Sequence, residues 1–362
     1  MKRNGRSSQM KILVIGGTGP TGPYIVNGLL ERGHEVIILH TGTHEVEFSE
    51  PVEHLHGDPN FKETLEQTLG NRTFDLVIGM YGRNRYLPEV MKGRTPRIIT
   101  AAASAYADGL PQPVPETAPL KKEPKLLRQI WLTEQIIMEA HNRGDFSATI
   151  LRYPGVYGPR QTMPMDWSIV KRILDGRKYF ILPDSGLSFL TMGYAENTAH
   201  AMLLVVDNPE KTAGQIYNVR DGVALTLRQK VDLITSIMNY EWEMVNIPID
   251  LARPSWPYTT RWFDVERLHL LQHNLPDISK LKIDLGYQDI VPVEEGIKRT
   301  VEWLIENPPD EKEYETKSGD RFNYAAEDRL IQEFKEFAEK ARAIPFEVRY
   351  RHSYDHPKEP KE

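Results

Sequence analysis

Residues 11–22 read KILVIGGTGPTG, and this stretch decides the fold. The β-branched run at its start predicts a buried strand, and the glycines that follow end that strand. Apolar residues then recur at helical spacing over 23–32, and a second apolar run covers 36–39. Strand, glycine turn, helix and strand within about 30 residues form a βαβ unit, which is the building block of parallel sheets.

The alternation of strands and helices continues to about residue 160. Further strands are predicted at 52–55, 74–80, 97–102 and 148–153, and helices at 61–69 and 130–141. We therefore predict an α/β fold, a doubly wound parallel Rossmann sheet with a smaller C-terminal substrate lobe.

The pattern changes after residue 160. Helices are predicted at 167–174, 195–206, 227–238, 296–305 and 325–343, strands at 179–182 and 214–219, and a linker at 306–322. The Rossmann domain should comprise 10–160 and about 195–240, and the substrate lobe about 161–194 and 241–310. Residues 311–362 should form a linker, a charged helix and a polar tail.

Composition excludes several classes of protein. The 362 residues contain no cysteine, so disulfides, thiolate nucleophiles and cysteine-ligated metals are absent. The net charge is −6, which argues against a surface devoted to nucleic acid. No apolar run reaches the roughly 18 residues that a membrane span needs, so we expect no membrane partner. The basic start, MKRNGRSSQ, is interpreted as a tail and not a signal peptide, which predicts a cytoplasmic protein.

The glycine loop carries the first functional prediction. Gly16, Gly19 and Gly22 follow a strand and open a helix, where backbone N–H groups can face a pyrophosphate. The alternative is a tight turn without a ligand, and the βαβ context favours the dinucleotide site.

The end of the second strand determines which dinucleotide is bound. Sites for NAD usually carry an acidic residue there, whereas this chain has His40 and Thr41, followed by His44. These groups could donate hydrogen bonds, and His40 could equally be an exposed loop histidine, so NAD and NADP both remain open. Asp58 is placed to reach the adenine amine, or to cap the following helix.

Several segments together resemble one family. They are KILVIGGTGPTGPYIV, HGD at 56–58, FDLVIGMYG, TILRYPGVYGPRQ, GQIYNVRDG with TLRQKVDLI, and DISKLKIDLGY. In this order they are similar to extended short-chain dehydrogenases/reductases of the NAD-dependent epimerase/dehydratase family. The resemblance implies NAD or NADP as cofactor and a small-molecule substrate. The short connection between strands four and five resembles a divergent branch that includes chloroplast stem-loop-binding proteins.

The chain departs from the family at the catalytic positions. Family members carry a Tyr-x-x-x-Lys pair on the helix before the sixth strand, in which tyrosine acts as acid or base and lysine lowers its pKa. Alignment places Leu126 and Ile130 at these positions, and Ala102 where the family has serine or threonine. None of the three can transfer a proton.

The substrate side departs as well. Gly155 replaces a family asparagine, and the stretch LSFLTMGY lacks the arginine that family members use on sugar-nucleotide phosphates. Within this resemblance, these departures imply a substrate other than a nucleotide-sugar. The short connection removes a helix of the family's usual dimer interface, so any homodimer would use a non-standard one.

Other residues at the carboxyl ends of the strands remain as candidates, since this edge binds ligands in doubly wound sheets. Tyr81, Tyr106 and Ser104 are the candidate catalytic residues, although a tyrosine can also be structural there. The predicted cofactor contacts are Gly16, Thr18, Gly19, Pro20, Thr21, Gly22, His40, Thr41, Asp58, Met80, Tyr81, Gly82, Tyr153 and Pro154.

No metal site is predicted. His54 and His56 would point to one side of a strand, but no carboxylate trio accompanies them in the sequence. Three hypotheses for function remain: an NAD(P)-dependent oxidoreductase or epimerase/dehydratase-type enzyme, a catalytically silent NAD(P)-binding sensor or scaffold, and an RNA-binding protein.

Overall fold

A computed structural model describes residues 9–80, 84–123, 125–161, 164–252, 273, 275–318, 321–349 and 353. The strands are β1 (Lys11–Ile15), β2 (Glu35–His40), β3 (Glu53–His56), β4 (Leu76–Gly79), β5 (Arg97–Ala103), β6 (Ser147–Tyr153), β7 (Gly155–Tyr157), β8 (Tyr179–Pro183), β9 (Met192–Tyr194), β10 (Gln215–Asn218) and β11 (Glu243–Ile247). The α-helices are α1 (Gly22–Glu31), α2 (Lys62–Leu69), α3 (Leu87–Met91), α4 (Lys125–Asn142), α5 (Trp167–Leu174), α6 (Ala195–Asp207), α7 (Pro209–Thr212), α8 (Leu227–Ile237), α9 (Ser279–Leu285), α10 (Val293–Glu306), α11 (Glu311–Ser318) and α12 (Tyr324–Arg342).

The main sheet has seven parallel strands in the order β10-β6-β5-β4-β1-β2-β3. The central strands β1 and β4 are almost entirely apolar because helices cover both faces of the sheet. One face packs against α1, α6 and α9, and the other against α2, α3 and α4. The strand order reverses between β1 and β4, which opens a crevice at their carboxyl ends. The predicted doubly wound α/β fold is confirmed.

Several predicted boundaries were wrong. Helix α4 begins at Lys125, five residues before the predicted start, because its first turn contains no strong periodic signal. Residues 306–322 were predicted as a linker, yet they contain α11, whose polar sequence has almost no apolar face. The short strands β7 and β9 pair only with each other and are too brief for a period to be recognised.

The smaller lobe also differs from the predicted domain boundaries. Helix α8 was assigned to the Rossmann domain, but it packs in the core of the lobe with α5 and α10. Its Lys230 forms an ion pair of 2.5 Å with Asp166, and both side chains are fully buried. Helix α9 was assigned to the lobe, but its Leu281 and Leu285 pack on the main sheet. The order of α8 and α9 along the chain therefore does not show whether each helix packs on the main sheet or in the smaller lobe.

The C-terminal helix α12 docks on the lobe. Arg172 of α5 donates to Glu327 of α12, and the two side chains are 1% and 2% exposed. Ile331 joins a small core with Ile181 and Val245 of the two-stranded β8–β11 sheet. The charged helix predicted for this segment is therefore attached to the lobe by a buried ion pair. Among the described residues, no helix is both long and apolar enough to span a membrane.

Candidate functional site

The glycine loop has the geometry that a dinucleotide requires. Gly16 and Gly17 adopt φ angles of 107° and 89°, which side chains disfavour. A Cβ on Gly22 would lie 2.1 Å from the carbonyl oxygen of Gly17, so only glycine allows the helix to approach the strand this closely. A Cβ on Gly19 would meet no atom within 4 Å, so the loop is open on that side.

The N-terminus of α1 is available to an anion. The N-cap residue Thr21 makes no side-chain capping hydrogen bond, and the first turn contains no acidic residue. The Gly22 N–H donates to the Gly19 carbonyl oxygen at 3.0 Å, and Pro23 has no N–H, so the positive end of the helix dipole is the main feature that favours a bound phosphate here. Together with the lack of an acidic residue in this turn, it fits the pyrophosphate of a dinucleotide.

The structure brings the exits of β1 and β4 together, as predicted. The Met80 amide donates to Ile15 at 2.9 Å, and a Cβ on Gly16 would lie 3.0 Å from the Cβ of Met80. Two further predicted residues, Tyr81 and Gly82, lie outside the described residues.

Two alternatives at the β2–β3 edge are wrong. His40 is the last residue of β2 and its side chain is only 4% exposed, so it is not an exposed loop histidine. Asp58 does not cap α2, because the N-cap position belongs to Phe61. Instead the Asp58 carboxylate accepts from the backbone N–H and side-chain amide of Asn60. The predicted contact of Asp58 with adenine stays a prediction.

The family's catalytic positions form an apolar cluster. Ala102 and Ile130 pack together with Ala105 and Leu127, all at most 7% exposed. The side chain of Leu126 lies outside what the structure describes. Alkyl groups therefore lie where the serine and lysine of the family would lie. This arrangement can neither donate a proton nor lower the pKa of a phenol.

Tyr106 belongs to a buried polar network and not to an open site. Its hydroxyl donates to Asn218 Oδ1 at 2.6 Å and accepts from Arg152 at 2.8 Å. Arg152 also forms a buried ion pair of 2.8 Å with Glu134 of α4. Burial raises the pKa of Tyr106 despite the nearby guanidinium. The geometry gives no support to its predicted role as an acid, because both functions of the hydroxyl are already used.

Three buried polar groups at the carboxyl edge lack a partner among the described residues. They are the side-chain amide of Asn84 beside the end of β4, the Ser104 hydroxyl after β5, and the Tyr153 hydroxyl at the end of β6. Burial raises the pKa of Tyr153 strongly, so it stays protonated. Unsatisfied groups of this kind are uncommon and call for an explanation.

A cavity of about 640 Å³ adjoins the glycine loop. Thr18 and the loop 44–47 form one side, and Arg160 and Gln161 form another. The far wall comes from the end of α10 and the start of α11, including Trp303 and Tyr314. The C-terminal part of the chain thus encloses the space beside the nucleotide loop.

Two residues of this region were missed by sequence reasoning. Arg160 is exposed in the cavity, has a φ of 64° and makes no ion pair within the described ranges. Its place inside the family-like segment TILRYPGVYGPRQ was the available signal. Glu45 lies among three histidines, two of which are distant in sequence, so its surroundings could not be predicted from the local pattern.

Comparisons with known proteins support the resemblance. Residues 82–219 match the family model of the NAD dependent epimerase/dehydratase family. A chloroplast stem-loop binding protein of 41 kDa from Arabidopsis thaliana is 25% identical over 59% of this chain and 59% of its own. A putative UDP-glucose 4-epimerase from Methanocaldococcus jannaschii is 24% identical over 82% of this chain and 99% of its own. The chain spans about 60% of the length of some of these curated relatives.

Solved structures share the fold. A UDP-glucose 4-epimerase from Thermotoga maritima, crystallised with UDP-glucose, matches with a TM-score of 0.68 at 22% identity, covering 82% of this chain and 99% of that one. A dTDP-glucose 4,6-dehydratase from Streptomyces venezuelae, crystallised with NAD, matches with a TM-score of 0.66 at 20% identity, covering 82% and 98%. The family match covers β5 to β10, and the fold match extends over most of the chain. Residues 82–219 of this chain therefore match the NAD dependent epimerase/dehydratase family, and the chain has the fold of these epimerases and dehydratases.

Proposed function

We propose that the protein binds NAD or NADP at the glycine loop and is an oxidoreductase of the epimerase/dehydratase type. Its substrate would be a small organic molecule other than a nucleotide-sugar. The observation that carries the cofactor proposal is the open face above Gly19 beside the uncapped start of α1. When bound, the dinucleotide supplies hydride chemistry.

The residues of this chain would bind and orient the cofactor. Backbone N–H groups of the glycine loop would hold the pyrophosphate, and Arg160 would add positive charge from the opposite wall of the cavity. Thr41 is exposed at the end of β2, where the adenosine ribose is expected. Its hydroxyl lies 3.0 Å from that of Thr43. Neither hydroxyl carries a charge, so this pair can hydrogen-bond the ribose hydroxyl of NAD or the ribose phosphate of NADP.

The substrate proposal depends on what the lobe lacks. The stretch 187–194 carries no arginine, and Leu187 and Phe189 in it are exposed. A nucleotide-sugar diphosphate would find no cation there. Proton transfer would fall to Ser104 or Tyr81, since the positions of the family pair lie in or beside an alkyl cluster.

A second function has a specific observation in its favour. The packed cluster of Ala102, Ile130 and their neighbours is compatible with a dinucleotide-binding sensor or scaffold that has no turnover. Such a protein needs the glycine loop but no proton donor. The two functions therefore agree on the cofactor and differ only on catalysis.

The first experiment is a titration of the purified full chain with NAD⁺, NADH, NADP⁺ and NADPH. We expect saturable binding of one dinucleotide per chain, and no binding of any of the four would refute both functions. A panel of small alcohols, aldehydes and ketones, followed by the absorbance of reduced nicotinamide, then tests for turnover. Turnover supports the enzyme, and binding without turnover supports the sensor.

The second experiment rebuilds the family pair with Leu126→Tyr and Ile130→Lys. A chain adapted to different chemistry should gain less than about tenfold in activity, because the pair would have no aligned substrate. The matched control is Gln135→Tyr with Glu139→Lys, which has the same spacing on the exposed face of α4. A gain much above tenfold in the rebuilt pair alone would mean that the protein is a dehydrogenase that lost its catalytic pair.

A further inference from the structure

Four side chains with metal-binding atoms converge at the edge of the main sheet. His40 ends β2, His54 and His56 lie on β3, and Glu45 comes from the loop between these strands. The four ligand atoms all lie within 4.8 Å of one another. The sequence argued against a metal here because no carboxylate trio accompanies the histidines. The fold supplies both a carboxylate and a third imidazole.

Three separations in the cluster are close to those of a tetrahedral metal site. His40 Nε2 lies 3.2 Å from His54 Nδ1, which lies 3.0 Å from a carboxylate oxygen of Glu45. His56 Nε2 lies 3.3 Å from the other oxygen of Glu45. Zinc bonds imidazole nitrogen at about 2.0–2.1 Å in a tetrahedron, which puts neighbouring ligand atoms about 3.3–3.5 Å apart.

Hydrogen bonds alone cannot satisfy this arrangement. The Gly42 N–H points to His40 Nδ1 at 3.2 Å, so neutral His40 carries its proton on Nε2 and donates it to His54 Nδ1. In that state His54 Nδ1 carries no proton, so two acceptors, His54 Nδ1 and the Glu45 carboxylate, face each other. If His54 Nδ1 carries the proton instead, two N–H donors, those of His54 and His40, face each other. A cation that accepts lone pairs from all four groups removes the conflict between His40, His54 and Glu45, in exchange for the contact of His40 Nδ1 with the Gly42 N–H.

We propose that His40, Glu45, His54 and His56 form a binding site for a divalent transition metal of the zinc class. Three imidazoles and one carboxylate suit zinc and the neighbouring ions that prefer nitrogen, whereas magnesium and calcium prefer oxygen ligands. Four protein ligands fill a tetrahedron, which is typical of a structural site. His56 and Glu45 are more than half exposed, so the ion can enter from solvent.

The metal would couple to the nucleotide site. Glu45 also lines the cavity beside Thr18, so a bound metal holds the loop that forms this wall. Ligation by His40 Nε2 moves its proton to Nδ1 and breaks the contact with the Gly42 N–H. Gly42 has a φ of 77°, a conformation that glycine adopts freely, so the turn can adjust there. This coupling, unlike the metal site itself, rests on the proposed cofactor function.

The test uses the full chain, produced without a histidine tag and stripped with a chelator. Zn²⁺ is titrated by calorimetry, and Co²⁺ serves as a spectroscopic probe, because its visible absorption distinguishes tetrahedral from octahedral ligation. We expect one ion per chain, with tetrahedral Co²⁺. His54→Ala and His56→Ala should each weaken Zn²⁺ binding by about 100-fold or more. His44→Ala removes an exposed histidine of the same loop, outside the cluster, and should leave Zn²⁺ binding unchanged.

The outcomes separate the site from the cofactor. Absence of stoichiometric Zn²⁺ binding, or equal binding in the wild type and His56→Ala, would overturn the site. His56 is exposed, so this variant should fold normally even if His54→Ala does not. Dinucleotide affinity is then measured with and without Zn²⁺, and a change of about fivefold or more is expected. An unchanged dinucleotide affinity would overturn the coupling. The Zn²⁺ titration is done without cofactor, so its result does not depend on the proposed function.

Discussion

Substitution of Gly19 separates charge from shape at the nucleotide loop. A Cβ at this position meets no atom within 4 Å, so we expect Gly19→Asn and Gly19→Asp both to leave the fold intact. The two variants have nearly the same shape and differ by one negative charge. If a pyrophosphate lies above this residue, the aspartate variant should bind the dinucleotide much more weakly than the asparagine variant.

The size of the difference follows from the electrostatics of the loop. Two unit charges 4 Å apart repel by about 1 kcal/mol in water and about 4 kcal/mol near a protein surface. Since every 1.4 kcal/mol is tenfold in affinity, the aspartate variant should bind about 5- to 700-fold more weakly than the asparagine variant. The gap should narrow at high salt, because ions screen exposed charges.

The assay is isothermal calorimetry with NADH and NADPH at low and high salt, together with thermal unfolding of each variant. Gly22→Ala is the companion variant, because its Cβ would lie 2.1 Å from the Gly17 carbonyl oxygen and must displace backbone. It should lose about 1–3 kcal/mol of stability or more, whereas the Gly19 variants should not. Equal affinity in the wild type and both Gly19 variants would refute a pyrophosphate site at this loop.

Three further predictions concern buried groups. Glu327→Gln removes the charge that pairs with the buried Arg172 and should lower the free energy of unfolding in urea by about 3–5 kcal/mol. Glu333→Gln, on the exposed side of α12, should leave this free energy almost unchanged. Equal losses in the two variants would contradict a stabilising role for the buried pair. Tyr106→Phe removes a hydroxyl that is hydrogen-bonded to both Asn218 and Arg152, so the free energy of unfolding should fall by about 1–3 kcal/mol. Any turnover should change less than tenfold. A larger loss of kcat at unchanged KM would indicate that Tyr106 is a catalytic acid. Burial raises the pKa of Asp221 to about 6, despite hydrogen bonds from Asn197, Tyr194 and Tyr157. The folded state therefore binds a proton between about pH 4 and 6 that the unfolded state releases, and the free energy of unfolding should fall by about 3 kcal/mol as the pH rises through this window. Asp221→Asn should lack that slope, and an identical pH profile in the variant would show that Asp221 is not its source.

The sequence alone was sufficient for the fold of the nucleotide half. Burial on both faces makes parallel strands continuously apolar, and each short crossover is recognisable from its helical period. The glycines of 16–22 identified the nucleotide loop because a positive φ and a close backbone approach permit almost no other residue. The apolar character of Ala102 and Ile130 is plain from the sequence, and their assignment to the family's catalytic positions stays a prediction.

Only the tertiary structure decided which distant residues meet. His40 and His54 are 14 residues apart, and strand pairing brings them to 3.2 Å, while Glu45 reaches them through a loop of irregular sequence. Tyr106 was a plausible acid until the fold placed Asn218, 112 residues away, on its hydroxyl. Local sequence patterns reflect local preferences, such as the helical period of apolar residues and the backbone freedom of glycine. Contacts between side chains far apart in sequence depend instead on how the packed layers align, and no short segment contains that information.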